Sequence, residues 1–343
     1  MLILLKLLLR IAKGGRLKVK VYVKSPSRLH FTLIDLNGGL GRIDGGVGVA
    51  LNYPNVILEA FKADSIIIEG LIADRVKRLA EKFVKAMNIN EGFKINVKKV
   101  IPSHVGLGSS TQLSLSIASA LAKLFNVKAD VKRLAEVMGR GGTSGIGVAA
   151  FQYGGFIIDG GHPFKRRKGK KAFLPSRAAK ASPPPVIVRY DFPSDWFFVI
   201  ALPNLPKGFH GEKEVKAFKA LCPTPAYEAE KISRLILMKM LPALKEFNIK
   251  DFGEALTNLQ AISVSKRKLM HSIVKECIDK MLENGAYGAG QTSWGPAVYG
   301  LVKGVDEAEK LTKIIKNFID KKTGGEAFYT SVNNKGAVIK VLS

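Results

Sequence analysis

Apolar and polar positions change period several times along this chain. Residues 18–23 (Lys-Val-Lys-Val-Tyr-Val) and 93–100 alternate apolar with polar or basic side chains, the period of a half-buried strand; 56–60 and 66–69 are short β-rich runs. Over 73–87, Val76, Leu79, Ala80, Phe83 and Met87 recur at spacings of three and four and predict an amphipathic helix. Leu113, Ile117, Ala120, Leu121 and Leu124 predict a second helix, capped by serine, and 130–138 a third that ends in Gly139. From residue 225 to about Leu282 the pattern is helical; strand-like 297–302, a helix at 306–320 and a last strand near 336–342 close the chain. The mixture predicts an α+β protein. Between its halves, 165–185 joins a basic cluster, Lys165 to Lys171, to Pro183-Pro184-Pro185, which can continue neither a helix nor a central strand. That segment is expected to be an exposed loop.

With 343 residues and 47% hydrophobic content the chain can build two domains, drawn here as 18–185 and 186–343. A net charge of +26, from 54 Lys and Arg against 28 Asp and Glu, would draw polyanions to any cleft. The basic residues are scattered, Lys77, Lys98, Lys219 and Lys310 among them, and lack the aromatic interleaving that stacks bases, so nucleic-acid binding is not the first expectation. Cys222 and Cys277 are far apart and have no metal-ligand spacing. They argue against a disulfide framework or a zinc site and for a reducing compartment, the cytoplasm. Residues 1–10 are apolar but too short to span a bilayer, and no small-residue cleavage site precedes Lys13-Gly14-Gly15-Arg16, so neither a membrane anchor nor a secretory signal is expected.

Four glycine-bearing motifs carry the candidate chemistry. The second in order, residues 102–111 (Pro-Ser-His-Val-Gly-Leu-Gly-Ser-Ser-Thr), joins a strand to a helix as a phosphate cradle does. Gly106 and Gly108 let the backbone approach an anion, and Ser109, Ser110 and Thr111 offer hydroxyls and free N–H groups at a helix N-terminus; Leu107 sits inside the turn. A phosphorylated substrate is the first hypothesis. The first motif runs from Ser27 through Arg28, His30, Thr32 and Asp35 into a glycine-rich turn bearing Arg42, with Asp44 after it. If 28–35 is a strand, Arg28, His30 and Thr32 share one face, and Asp35 at its end either serves a site or caps the turn. The third motif, 139–147 (Gly-Arg-Gly-Gly-Thr-Ser-Gly-Ile-Gly), leads to Phe156, Asp159 and His162, and the fourth, 285–296, holds Gln291, Thr292, Ser293 and Trp294 between two strand candidates. The fourth also reads as a plain glycine-rich hairpin.

In this order the motifs resemble the GHMP kinase superfamily, over roughly residues 20–340. The resemblance implies a two-domain α+β fold, an N-terminal β-α-β domain followed by a ferredoxin-like C-terminal domain. Kinases of the superfamily carry a catalytic aspartate after a Ser-Gly-Ile or Ser-Gly-Asn step, and this chain has Gly147 there. Without that carboxylate the group that deprotonates an alcohol acceptor is missing. A narrower resemblance accommodates the departure: 28–37, 45–48, 139–147, 159–162 and 290–296 together are similar to the β-ribofuranosylaminobenzene 5′-phosphate synthases, an archaeal branch of the superfamily.

That resemblance implies condensation of 5-phosphoribosyl 1-pyrophosphate with 4-aminobenzoate or 4-hydroxybenzoate, release of CO₂ and pyrophosphate in methanopterin biosynthesis, Mg²⁺, and a homodimer. Such a reaction must neutralise phosphates and does not need to deprotonate an alcohol. The expected assignments are Gly106, Leu107, Gly108, Ser109, Ser110 and Thr111 for phosphate, with Arg42 or Arg28 for pyrophosphate or the aryl carboxylate. Asp35 is assigned to the oxocarbenium or the para-amino group. His30 joins Asp35, Arg42 and Arg28 as a catalytic candidate, and Ser144, His162, Gln291, Thr292, Ser293 and Trp294 are further substrate-site candidates. Trp294 and Phe156 are aromatics for the acceptor ring or for the core. Two competing readings remain: an ATP-dependent small-molecule kinase whose base is Asp35, Asp44 or Asp159, and a basic RNA-binding protein with salt-dependent affinity.

Overall fold

The computed structural model describes residues 19–165, 169–175, 178–179, 181–206, 212–262 and 270–342. The apolar run at 1–10 and part of the basic cluster at 165–171 lie outside them. The first half is built on two long antiparallel strands, β1 (Lys20–Asp35) and β2 (Arg42–Lys62). The runs at 18–23 and 28–35 thus belong to one strand. Pro26, which has no N–H to give the ladder, is absorbed by a register shift between Ser25 and Ser27. β3 (Ile67–Gly70) pairs parallel with β4 (Phe93–Lys99) across the helix α1 (Ala73–Ala86), and β4 lies against β2.

Helices α2 (Ser109–Leu124), α3 (Val131–Met138) and α4 (Ile146–Gln152) follow, and α2 packs on β1 and β2. α2 is buried almost all round. Its N-cap is Gly108 in the left-handed region, with no side-chain cap, rather than a serine. α3 is capped as its sequence suggests, by the Asp130 carboxylate accepting from the Arg133 N–H at 2.7 Å. β5 (Phe156–Asp159) and the short β6 (His162–Pro163) pair with β2, and β7 (Val186–Tyr190) pairs with β5.

The second half forms a four-stranded antiparallel sheet. β8 (Trp196–Pro203) leads into α5 (Glu212–Leu221) and α6 (Ala226–Leu235), which continues through a π-helical turn, Ile236–Met240, into α7 (Leu241–Lys245). α8 (Ile249–Ile262) and α9 (Ser272–Glu283) precede the hairpin β9 (Gly288–Gln291) and β10 (Val298–Lys303). α10 (Val305–Asp320) and β11 (Gly325–Ser331) complete the sheet, whose spatial order is β11-β8-β10-β9. Numbered within this half the order is 4-1-3-2, the split β-α-β of a ferredoxin-like domain. The last strand, β12 (Val338–Leu342), returns to the first sheet beside β1, so β7 and β12, both beyond residue 185, belong to that sheet.

One apolar cluster takes side chains from both sheets: the Phe31 ring of β1 lies 6.1 Å from Phe198 of β8 and 5.3 Å from Tyr299 of β10. This shared core holds the two sheets as one body around the end of β1.

Candidate active site

The turn before α2 leaves backbone N–H groups without helical partners at its helix end. Gly106 and Gly108 have φ of 100° and 83°, a region that penalises any side chain. The first intrahelical bonds run from the Thr111 and Gln112 N–H groups to the Gly108 carbonyl, at 3.1 and 3.2 Å, so the N–H groups of Ser109 and Ser110 have no helical acceptor. Arg28 lies across the turn. Its backbone N–H donates to the Leu107 carbonyl at 3.2 Å, its guanidinium donates to the Gly106 carbonyl, and a Cβ on Gly108 would sit 2.9 Å from Arg28 Cγ. Burial pulls Arg28 down to about 10, and the charge of Glu214 opposes the fall. A second guanidinium, Arg75 of α1, donates to Ser103 Oγ at 2.9 Å and Ser110 Oγ at 2.7 Å. Leu107 points into the core and brings only its backbone.

The fourth motif is a hairpin, and its loop is pressed against this turn. A Cβ on Gly295 would lie 2.0 Å from the Val105 carbonyl oxygen, so only glycine fits. Thr292 Oγ1 accepts from the His30 N–H at 2.9 Å and donates to the Gly106 carbonyl at 3.0 Å, while the Ser293 N–H donates to the His30 carbonyl at 3.1 Å. Thr292 therefore straps the first motif to the second.

The third motif is held by Asp159. Its Oδ2 accepts from the Gly145 N–H at 2.8 Å and the Ser144 hydroxyl at 3.3 Å, and its Oδ1 from the Gly161 N–H at 3.0 Å. Burial pushes this carboxyl up to about 6 against the two backbone hydrogen bonds and the charge of His162, with Asp44 adding to the rise. His30 Nε2 lies 3.1 Å from Ser144 Oγ. Because that hydroxyl donates to Asp159, Nε2 is the donor toward it. Behind this relay, buried Asp44 receives the Lys170 ammonium at 2.9 Å and His162 Nδ1 at 2.7 Å, and His162 Nε2 faces the carbonyls of Gly141 and Ser182. The segment 165–185 is thus not simply an exposed loop: Lys170, Pro175, Pro183 and Pro184 are buried, Lys170 because it neutralises Asp44, Pro183 and Pro184 against Gly141 and Gly145.

Beside these parts lies a cavity of about 190 Å³, which Arg28 and Thr111 line but Gly106, Leu107, Gly108, Ser109 and Ser110 do not. One wall is the face of β1 that carries Arg28, His30, Thr32, Ile34 and Leu36; Thr111, Ser144, Gly147, Ser293 and Trp294 add to it. The roof is α5 and α6, with Glu214, Phe218 and Leu221 from the first, Glu228, Ala229 and Ile232 from the second, and Cys222 and Thr224 between them. The roof is tied down by the first motif: the Thr224 N–H donates to the Leu36 carbonyl at 2.9 Å, and the Asn37 amide donates to the Thr224 carbonyl at 2.7 Å.

Of the residues singled out by sequence, Arg28, His30, Thr111, Ser144, Ser293 and Trp294 line the cavity together. Asp35 does not. It lies on the strand face opposite Ile34 and Leu36, and its Oδ1 accepts from the Asn37 and Gly38 N–H groups at 2.7 and 2.8 Å, the turn-capping alternative. Arg42 is also off the cavity, donating to the Gly160 and Gly161 carbonyls at 2.9 and 2.8 Å. Gln291 braces its own loop through the Gly295 carbonyl at 2.8 Å, Thr292 and His162 are buried struts, and Phe156 is core. Sequence reasoning missed Arg75 and the roof residues Glu214, Phe218 and Glu228. The apolar spacing of Val215, Phe218 and Leu221, after the acidic turn at Glu212 and Glu214, was the available signal.

The GHMP kinases N terminal domain matches residues 74–155 and the GHMP kinases C terminal domain residues 240–321. The galactokinase of Lactococcus lactis, solved with galactose, superposes with a TM-score of 0.66 at 16% identity, covering 98% of this chain and 99% of its own. That likeness establishes the fold. The beta-ribofuranosylphenol 5'-phosphate synthase of Methanothermobacter thermautotrophicus is 40% identical over 331 residues, 93% of this chain and 98% of the relative. Its namesake from Methanocaldococcus jannaschii is 41% identical over 333 residues, 92% and 98%. The chain belongs to the beta-ribofuranosylphenol 5'-phosphate synthase family.

Within this family member the kinase fold carries no carboxylate at Gly147, whose place is closed by Thr111. Among the described residues no cluster of three or more His, Cys, Asp and Glu could hold a metal ion alone. Mg²⁺ ordinarily takes one or two carboxylates plus substrate phosphates, and Glu214, a cavity carboxylate whose charge acts on Arg28, fits that smaller demand.

Proposed function

We propose that this chain is a decarboxylating phosphoribosyltransferase of methanopterin biosynthesis, joining 5-phosphoribosyl 1-pyrophosphate to 4-hydroxybenzoate with release of CO₂ and pyrophosphate. The observation that carries the reading is 40% identity across 93% of the chain with a relative bearing the synthase name. That name specifies a ribofuranosylphenol product, which favours 4-hydroxybenzoate over 4-aminobenzoate as acceptor.

The chain's own groups suit the chemistry. Departure of pyrophosphate leaves positive character on the ribose and collects negative charge on the phosphates, so donors fixed in advance where that charge gathers lower the barrier. The Arg28 guanidinium on the cavity wall is such a donor, and Thr111, also on the wall, continues into the α2 N-terminus, where the Ser109 and Ser110 N–H groups have no helical acceptor. His30, held through Ser144 by Asp159, presents its ring to the same cavity in a fixed orientation. Glu214 is the cavity carboxylate that would hold Mg²⁺, which would supply positive charge against the departing pyrophosphate. Phe218, Leu221, Ala229 and Ile232 put apolar surface over part of the cavity, which reduces the water that could hydrolyse the oxocarbenium. The reading includes the homodimer and the cytoplasmic location usual for the family. Among the described residues no helix is long and apolar enough to cross a membrane.

The test is release of labelled CO₂ from carboxyl-labelled 4-hydroxybenzoate and 4-aminobenzoate with the phosphoribosyl donor and Mg²⁺, beside an ATP-only control. Donor-dependent release is the expected result. No release from folded, metal-supplied protein, with ATP consumed in the control, would restore the kinase reading.

A further inference from the structure

Glu228 is a carboxylate of the roof whose chemistry the reaction above leaves unused. Its residue exposure is 5%, it lines the cavity, and its carboxylate has no hydrogen-bond or ion-pair partner among the described residues. Its oxygens are not among the fully enclosed side-chain atoms that lack a partner, so they open onto the cavity, where a ligand's donor can reach a carboxylate that no protein group occupies. Burial holds the Glu228 carboxyl above its ordinary range.

Its place in the cavity selects the ligand group. The cavity runs along β1 from Arg28, beside the α2 turn, to Leu36, which bonds Thr224. The roof runs the same way: Glu214 of α5 acts on Arg28, and Thr224 meets Leu36 immediately before α6 begins. Glu228, in the first turn of α6, therefore belongs to the Leu36 end, away from the phosphate donors and among apolar Ile34, Leu36, Ala229 and Ile232. An aromatic acid attacking ribose with the face of its ring, through its carboxylate-bearing carbon, carries its para substituent at the opposite edge of the ring, the part farthest from the bond being formed, and that end of the cavity is where such an edge fits. We propose that the Glu228 carboxylate accepts the hydrogen bond of the acceptor's para hydroxyl and selects acceptors that carry a para donor; this rests on the synthase reading.

The same contact serves the reaction. As the ring carbon bonds to ribose C1 and the C1–O bond breaks toward pyrophosphate, the ring becomes a dienone and its O–H proton passes to Glu228. When the ring–carboxylate bond breaks, CO₂ leaves, its bonding pair restores the aromatic ring, and the oxygen takes the proton back from Glu228. The carboxylate is regenerated and no other reactant is needed.

The experiment compares binding of 4-hydroxybenzoate with 4-fluorobenzoate, of similar size but without a donor, by calorimetry on full-length wild type, Glu228→Gln and Glu228→Leu. Wild type should favour the hydroxy acid about 10- to 100-fold, the range for a hydrogen bond to a charged group. Glu228→Leu should reduce that preference to within about threefold, with Glu228→Gln between. Because each preference is a ratio within one protein, partial unfolding of a variant does not create or abolish it. A wild type without the preference, or a Glu228→Leu protein that keeps it, overturns the assignment. Labelled-CO₂ release by wild type is read separately, so failure of the synthase reading is distinguishable from failure at Glu228.

Discussion

Gly147 stands directly against Thr111: a Cβ on Gly147 would lie 3.2 Å from Thr111 Cγ2 and 3.3 Å from its Cβ. This is the position where the resemblance to the kinases implies an aspartate, and Thr111 and Gly147 are both on the cavity wall. Restoring a carboxylate must displace Thr111 and the α2 turn, at an overpacking cost of about 1–3 kcal/mol. Gly147→Asp should therefore lower donor-dependent CO₂ release by about tenfold or more without creating ATP consumption. Phosphorylation of an alcohol by this variant would show that the kinase chemistry was only one residue away.

Arg28 and Arg42 should separate sharply on substitution. Arg42→Ala removes two hydrogen bonds to the 160–161 turn, a stability loss of about 1–2 kcal/mol, but leaves the cavity untouched. Asp35→Asn keeps an oxygen for the Asn37 and Gly38 N–H groups. Both should hold kcat/KM within about threefold of wild type. Arg28→Ala removes a buried cation from the anion end and should cost about 100-fold or more, on the scale of losing one preorganised donor. Steady-state kinetics on folded variants checks all three, and a large loss in Asp35→Asn would return that carboxylate to the site.

The contrast shows what a sequence can disclose. Strand alternation placed Arg28, His30 and Thr32 on one face, and all three do line the cavity, although β1 shifts register between His30 and Thr32 and Leu33 lines the cavity as well. Asp35 was ambiguous from the same rule: a carboxylate at a strand end is equally suited to a site and to the turn that follows. The glycine motifs were legible as motifs, but the reason for Gly295, a carbonyl 2.0 Å away from a segment 190 residues earlier, is tertiary. Glu228 was invisible because its signal is the absence of a partner, which only the assembled roof defines. Lys170 was misjudged for the complementary reason: a basic cluster reads as solvated until its buried counter-ion, Asp44, is seen.

Asp159 predicts a pH signature with a definite sign. Its folded value, about 6, lies above the ordinary 3.8, so folding favours the protonated form. The penalty for the ionised form is therefore full above about pH 6 and is relieved as pH falls toward 3.8, an effect of about 3 kcal/mol at the limit. Wild type should lose stability relative to Asp159→Asn as pH rises from 4 to 7, read by urea denaturation at each pH. Activity should move the other way, because the ionised carboxylate orients Ser144 and through it His30. The wild-type rate should show an acidic limb near pH 6 that Asp159→Asn lacks. A limb unchanged in the variant would assign it to another group.

Lys170 tests whether the buried charges behind the third motif hold the cavity wall. Its side chain is 4% exposed and that of Asp44 0%, and Lys170 also donates to the Leu174 carbonyl, which receives the Thr143 hydroxyl at 2.7 Å. Thr143 lines the cavity, so the ion pair fixes a loop that fixes the wall. Lys170→Met leaves Asp44 with His162 alone, and breaking a buried pair costs about 3–5 kcal/mol. Asp44→Asn combined with Lys170→Met removes both charges and should recover more than half of that loss, a coupling that a surface pair would not give. If the wall depends on the pair, the single variant should also raise KM for the phosphoribosyl donor more than it lowers kcat. A Lys170→Met loss below about 1 kcal/mol would mean that solvent reaches Asp44 and that the loop is held by its backbone contacts instead.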